Sequence, residues 1–140
     1  MRMQLTRRGD YAVRAMLALA DAHGALVTGG AIARDTGVPP AFLPQVMGDL
    51  IRAGLARAQQ GRSGGYALAR PADEISLLQI VEAVEGDSRR TTCILRGGPC
   101  GLDGTCRVHD AFFAGQESLL ATIADATLDR LPPRQGLPTG

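Results

Sequence analysis

Three thiols and an imidazole crowd the stretch "TTCILRGGPCGLDGTCRVHD", residues 91–110: Cys93, Cys100, Cys106 and, three positions later, His109. The chain has no other cysteine. Thiolate and imidazole bind soft or borderline metals, and thiols also exchange electrons, so the residue types point to a metal or redox loop. Zinc sites use ligands two to four residues apart, and only Cys106 and His109 are that close. A thiol switch pairs a low-pKa cysteine with a resolving partner, which leaves the third cysteine and the histidine idle. An iron–sulfur cluster is wider than a single ion and takes thiolates spread along a flexible loop, and the glycines of "GGPCGLDGTC" let a backbone wrap it. Cysteines serving as small hydrophobes fit poorly, because this stretch has few apolar neighbours to bury them. A thiol enzyme would need a base and a substrate pocket. With two histidines in the chain and only His109 near the thiols, the sequence reads as a non-enzyme.

Such a loop needs a scaffold, and 140 residues suffice for one domain or a small domain with an appended helix. Hydrophobic residues make up 45% and charged residues 21%, ordinary values for a soluble globular chain. No apolar run reaches membrane-spanning length and "MRMQLTRRGDY" has no apolar signal region, so the expected location is cytoplasmic, away from membrane. In that reducing compartment clustered cysteines favour metal or redox roles over a disulfide framework. The net charge of +1 conceals a division. Residues 1–70 hold nine arginines against four acids, while residues 71–140 hold six against ten. The chain has no lysine, only arginine, whose planar fork suits phosphate and guanine edges. The first half is therefore the one expected to meet a polyanion.

Helical spacing of Val13, Met16, Leu17 and Ala20 predicts a first helix in "DYAVRAMLALADAHG". Thr28 is placed to cap a short second helix over Gly29 to Thr36, and Gly37 turns the chain. "PPAFLPQVMGDLIRAG" carries Phe42, Leu43, Val46, Met47, Leu50 and Ile51 on one stripe, with onset near Pro40 and Gly54 as a left-handed cap. Helix, glycine turn, helix is the helix-turn-helix pattern. Extended runs Leu55–Gln59 and Tyr66–Ala69 around "QGRSGG" predict a hairpin, which in that position is a wing. Ser76 and Gln79 form a capping box for the helix of "ISLLQIVEAVEG", with Ile75 and Ile80 as its staple and Gly86 as its stop. From about Arg107 a long helix runs to Asp125, with Val108, Phe112, Gly115, Leu119 and Ile123 on one face and Phe113 and Leu120 beside it. So long an apolar flank is expected to pack against a second copy.

The fold class expected is mainly α with a small β-hairpin: a winged helix-turn-helix domain plus a long C-terminal dimerisation helix. The division is a DNA-binding domain over 1–71, a unit with the capped helix, cysteine loop and dimerisation helix over 72–131, and a flexible tail over 132–140. A recognition helix reads bases from its exposed first residues while wing and flanking cations hold phosphate or enter the minor groove. The exposed candidates are Ala41, Gln45 and Asp49, with Arg52 near the helix end; Gln45 can pair bidentately with adenine. Arg62 and Ser63 sit at the wing tip. Arg7 and Arg8, just before the first helix, and Arg34 are phosphate candidates. Pro44 lies at the limit of what a helix onset tolerates, so the reading helix is expected to bend or begin late.

"LTRRGDYAVRAML", "IARDTGVPPAFLPQVMGDLIRAGL", "GRSGGYALARP", "ISLLQIVEAVEG", the cysteine loop and the helix through "ATLDRL" together resemble the winged-helix iron–sulfur regulators that include IscR, NsrR and RirA, the Rrf-type regulators. The resemblance covers about residues 3 to 131. It implies a homodimer with crossed long helices that binds a palindromic promoter operator in double-stranded DNA, as a repressor. It also implies a [2Fe–2S] or [4Fe–4S] cluster on Cys93, Cys100 and Cys106, sensing redox state, nitric oxide or iron status. The fourth ligand implied is His109 in the IscR-like branch and Asp10, supplied by the partner subunit, in the NsrR-like branch. A longer first cysteine gap and Pro44 at a polar reading position depart from the family pattern. The alternative is a zinc-stabilised or thiol-switch winged-helix protein without a cluster.

Overall fold

The computed structural model describes residues 2–90, 92–95 and 106–132. The first helix, α1, spans Arg7–Asp21 and starts earlier than its apolar periodicity implies. Thr6 is the reason: its hydroxyl accepts the Gly9 N–H at 3.1 Å and satisfies one of the orphan donors of the first turn. Arg7 and Arg8, expected ahead of the helix, therefore stand inside its first turn. One side of α1 buries Ala12, Ala15, Met16 and Leu19. The second helix, α2, runs over Gly29–Thr36 with Thr28 as its cap, as the sequence indicated. Gly37 ends it at φ 77°, a left-handed conformation that a residue with a Cβ adopts at a cost.

The third helix, α3, is Leu43–Arg52, with Pro44 within its first two positions. Proline lacks an N–H and is harmless only where that donor would be unpaired, so the helix begins late rather than bending. Ala41 consequently lies in the preceding turn and not on the helix. Leu43, Val46, Met47 and Leu50 face inward, and Gly54 follows at φ 76°.

Strands β1 (Ala56–Gln59) and β2 (Gly65–Leu68) form the wing, paired antiparallel from Ala56↔Leu68 to Gln59↔Gly65. Each differs by one residue from the expected run. Val27 adds an isolated bridge to β2, exchanging two 2.8 Å backbone hydrogen bonds with Tyr66. That approach demands glycine at position 65, where a Cβ would stand 2.7 Å from the Val27 carbonyl oxygen.

Helix α4, Leu77–Glu85, has both halves of the Ser76/Gln79 capping box and ends at Gly86. Helix α5 spans His109–Asp125. The chain does not continue as helix through "ATLDRL". Ala126 leaves helical geometry, Thr127 pairs with Ser76, and a 3-10 turn occupies Leu128–Arg130. This return is held by Leu77 N–H to Ala126 O at 2.8 Å and Leu128 N–H to Ile75 O at 2.9 Å. Leu128 is thereby buried in the same core as Met16, Leu19, Leu50, Ile75 and Ile80. Burial of a leucine contributes about 1.5–3 kcal/mol, which favours the return over further helix. Cys100 and the tail from residue 133 lie outside the described residues.

Candidate nucleic-acid interface and cysteine centre

Burial of Leu43, Val46, Met47 and Leu50 turns the opposite stripe of α3 outward, and Pro44, Gln45 and Arg52 on it are exposed. Gln45 is the amide side chain on that stripe. Asp49 differs from expectation. Its side chain is only 13% exposed, and its two carboxylate oxygens take the guanidinium groups of Arg8 from α1 and Arg52 from α3. A carboxylate so occupied does not present itself to a base.

Arg62 and Ser63 are exposed at the tip of the wing, between the strand ends Gln59 and Gly65. Arg34 is exposed on α2, with its Nε 3.8 Å from the Asp35 carboxylate. Arg7 is exposed in the first turn of α1, and Ala41 in the turn before α3. Two cations escaped the sequence reading. Arg57 is exposed on β1, where Ala56 is the strand's buried residue. Arg14 donates to Asp10 at 2.8 Å and to the Thr36 carbonyl at 3.1 Å, tying α1 to the end of α2.

The cysteine centre is assembled by two straps. Arg89 makes a two-pronged ion pair with Glu117 of α5, both bonds 3.0 Å. The neighbouring Arg90 N–H donates to the Gln116 side-chain oxygen at 2.6 Å, and the Arg90 guanidinium donates to the Cys93 carbonyl at 3.2 Å. The hydrogen bond from Arg89 holds the Glu117 carboxyl below its ordinary range, and the same bond raises Arg89 further. The straps bring buried Cys93 against half-buried Cys106, with sulfurs 3.7 Å apart.

That separation is well beyond the roughly 2.05 Å of a disulfide. It matches the roughly 3.8 Å expected between two thiolates on one tetrahedral metal with bonds of about 2.3 Å. It is equally the ordinary contact of two neighbouring thiols, so the pair has room for a shared metal and is also placed as a thiol pair. His109 opens α5 one turn after Cys106, its N–H donating to the Cys106 carbonyl at 3.1 Å and its ring stacked on Phe113. Asp10 is half-exposed in the first turn of α1 and accepts from Arg14. Among the described residues, no three His, Cys, Asp or Glu side chains converge as a metal site.

Two further features bear on the site. Glu85, the last residue of α4, accepts from the Thr6 N–H at 2.7 Å and from the Thr6 hydroxyl at 2.8 Å. The segment leading to Cys93 thus departs from a residue that caps α1. On α5, Leu120 is the one buried residue among those described, while Phe112, Phe113 and Leu119 are exposed. No helix among the described residues is long and apolar enough to cross a membrane.

Residues 5–133 match the Rrf2 family, described as an iron-dependent transcriptional regulator. An HTH-type transcriptional regulator of Neisseria meningitidis is 38% identical over 124 residues, covering 88% of this chain and 80% of the relative. The HTH-type transcriptional regulator IscR of Cronobacter sakazakii is 31% identical over 134 residues, covering 95% of this chain and 82% of that protein. Among solved structures, CymR, the global cysteine regulator of B. subtilis, superposes with a TM-score of 0.80 at 22% identity. That alignment covers 92% of this chain and 95% of CymR, and the likeness is one of fold.

Proposed function

The chain belongs to the Rrf2 family of DNA-binding transcriptional regulators, and from that premise we propose that it is a homodimeric repressor governed by an iron–sulfur cluster on Cys93, Cys100 and Cys106. The observation that carries the reading is the Cys93–Cys106 pair, 3.7 Å apart and strapped to α5. When bound, such a cluster supplies iron that oxidants, nitric oxide or iron shortage can remove. The fourth ligand is His109 of the same chain or Asp10 of the partner subunit. The winged helix over 1–71 meets a palindromic operator, with Gln45 towards bases and Arg7, Arg8, Arg34, Arg52, Arg62 and Ser63 towards phosphate and the minor groove.

The chain's own residues provide the transmission. Arg89 and Arg90 fix the Cys93 segment to α5. Glu85 sits at the other end of that segment and caps α1 through Thr6. Arg8, in the first turn of α1, reaches Asp49 on α3. An ordered cysteine segment thus braces both the exposed face of α5 and the α1–α3 pair. Release of the segment loosens them together and changes the spacing of two reading helices, whose half-sites repeat about every 34 Å along B-DNA.

The test is the visible spectrum of anaerobically purified protein and its Cys93→Ala, Asp10→Ala and His109→Ala variants. A coloured protein is expected, bleached by Cys93→Ala and altered by one of the other two. Unaltered spectra in both Asp10→Ala and His109→Ala would exclude the fourth ligands named. The same sulfur pair favours a second reading, a thiol switch. There the two thiols lose two protons and two electrons to an oxidant and close a disulfide, and a colourless protein with oxidant-dependent DNA binding would support it.

A further inference from the structure

Asp49 occupies the face of α3 that meets DNA, yet it carries the wrong charge for a phosphate neighbour. Its carboxylate lies inward at 13% exposure, beneath guanidinium groups that are 46% exposed for Arg8 and 72% exposed for Arg52. The three residues come from two helices, so the ion pairs fix the first turn of α1 against the last turn of α3. Arg52 is also folded back along its helix: a Cβ on Gly48 would meet its Nη1 at 3.5 Å. Gly48 lies one turn beyond Gln45 on the outward stripe, so the guanidinium folds back over that stripe at Gly48 while staying largely exposed. Each guanidinium has five N–H donors, and the bond to Asp49 leaves most of them for other acceptors.

We propose that Asp49 is a specificity-determining positioning residue that makes Arg8 and Arg52 a fixed two-pronged phosphate clamp. In register, the two cations present their remaining donors to backbone phosphate and Gln45 is set at its base. Out of register, the carboxylate meets phosphate without full compensation, and like-charge contact disfavours that complex. The carboxylate thus restrains indiscriminate binding while ordering the productive one. This rests on α3 being the DNA reader and is independent of what the cysteines bind.

The test uses the full chain, a duplex selected by the wild-type protein from a random-sequence pool, and a scrambled duplex of equal length. Binding of each is measured across a salt series. In Asp49→Asn the arginines are released and one negative charge is lost. Scrambled-duplex affinity is expected to rise about threefold to tenfold, with a log–log salt slope steeper by about one per freed arginine. Affinity for the selected duplex does not rise, so discrimination falls about tenfold. In an Arg8→Ala/Arg52→Ala background the same substitution leaves discrimination unchanged, since the residues it acts through are gone.

Equal loss of both affinities, as a merely structural role would give, or no change in either, overturns the proposal. If Asp49→Asn fails to fold, the Arg8→Ala/Arg52→Ala pair alone decides. It should cost the selected duplex more than the scrambled one, and equal losses overturn the clamp. A wild-type protein that selects no sequence overturns the reading role of α3 and the clamp with it; every other outcome leaves that role standing.

Discussion

The winged-helix core and α5 solve opposite problems. Helices α1, α3 and α4 bury Met16, Leu19, Met47, Leu50 and Ile80 completely, and Leu128 returns from beyond α5 to join them. Helix α5 turns Phe112, Phe113 and Leu119 outward. It is held to the preceding segment by polar straps at Gln116 and Glu117. One region completes itself within the chain, while the other has an apolar flank that the proposed dimer would cover.

Equal truncations in the two regions should have unequal effects. Ile80→Ala is expected to lower unfolding free energy by about 2–5 kcal/mol, through lost burial and the cavity left behind, as denaturant titration would report. Leu119→Ala should leave the single chain's stability within about 1 kcal/mol, because an exposed side chain loses little on truncation. It should instead raise the dimer dissociation constant by sedimentation. If Leu119→Ala destabilises the isolated chain as much as Ile80→Ala does, the division into self-sufficient and dependent regions fails.

Glu85 is the link between the two, and Glu85→Ala, which removes the acceptor for both Thr6 hydrogen bonds, is expected to cost about 0.5–2 kcal/mol, the usual range for loss of a helix cap. Hydrogen exchange should speed up in the first turn of α1 and not in α3. Arg62→Ala, at the wing tip, should leave stability unchanged and weaken binding to most duplexes, with a salt slope smaller by about one.

The smallest effect belongs to the strap. Glu117 is depressed by Arg89, so its contribution is complete above the ordinary glutamate pKa of about 4.3. It is lost as pH falls through the lower folded value. A pH titration of Glu117→Gln against wild type should show the two chains converging in acid. The gap at neutral pH should be small because the pair is exposed and screened.

What the sequence revealed and concealed divides along the same line. Thr28, Gly37, Gly54 and the Ser76/Gln79 box act on backbone groups within a few residues, and each stands where its local signal placed it. Pro44 gave the late start of α3, although it also moved Ala41 off the helix. Thr6 was legible as a cap in principle, but the following Arg-Arg-Gly lacks apolar periodicity and hid the true start of α1. The partnership of Asp49 with Arg8 spans 41 residues and that of Glu85 with Thr6 spans 79. No periodicity records such pairings, so Asp49 read as an exposed base reader. The return of Leu128 was concealed for the same reason. Its sequence is as compatible with helix as with a turn, and only the open place beside Ile75 decides.

The most direct measurement of the central claim is the iron and acid-labile sulfide content of the full chain, purified without oxygen and reconstituted. Wild-type protein should carry both elements in cluster stoichiometry, and Cys93→Ala should carry neither. Wild-type protein with no iron or sulfide after reconstitution would contradict the account.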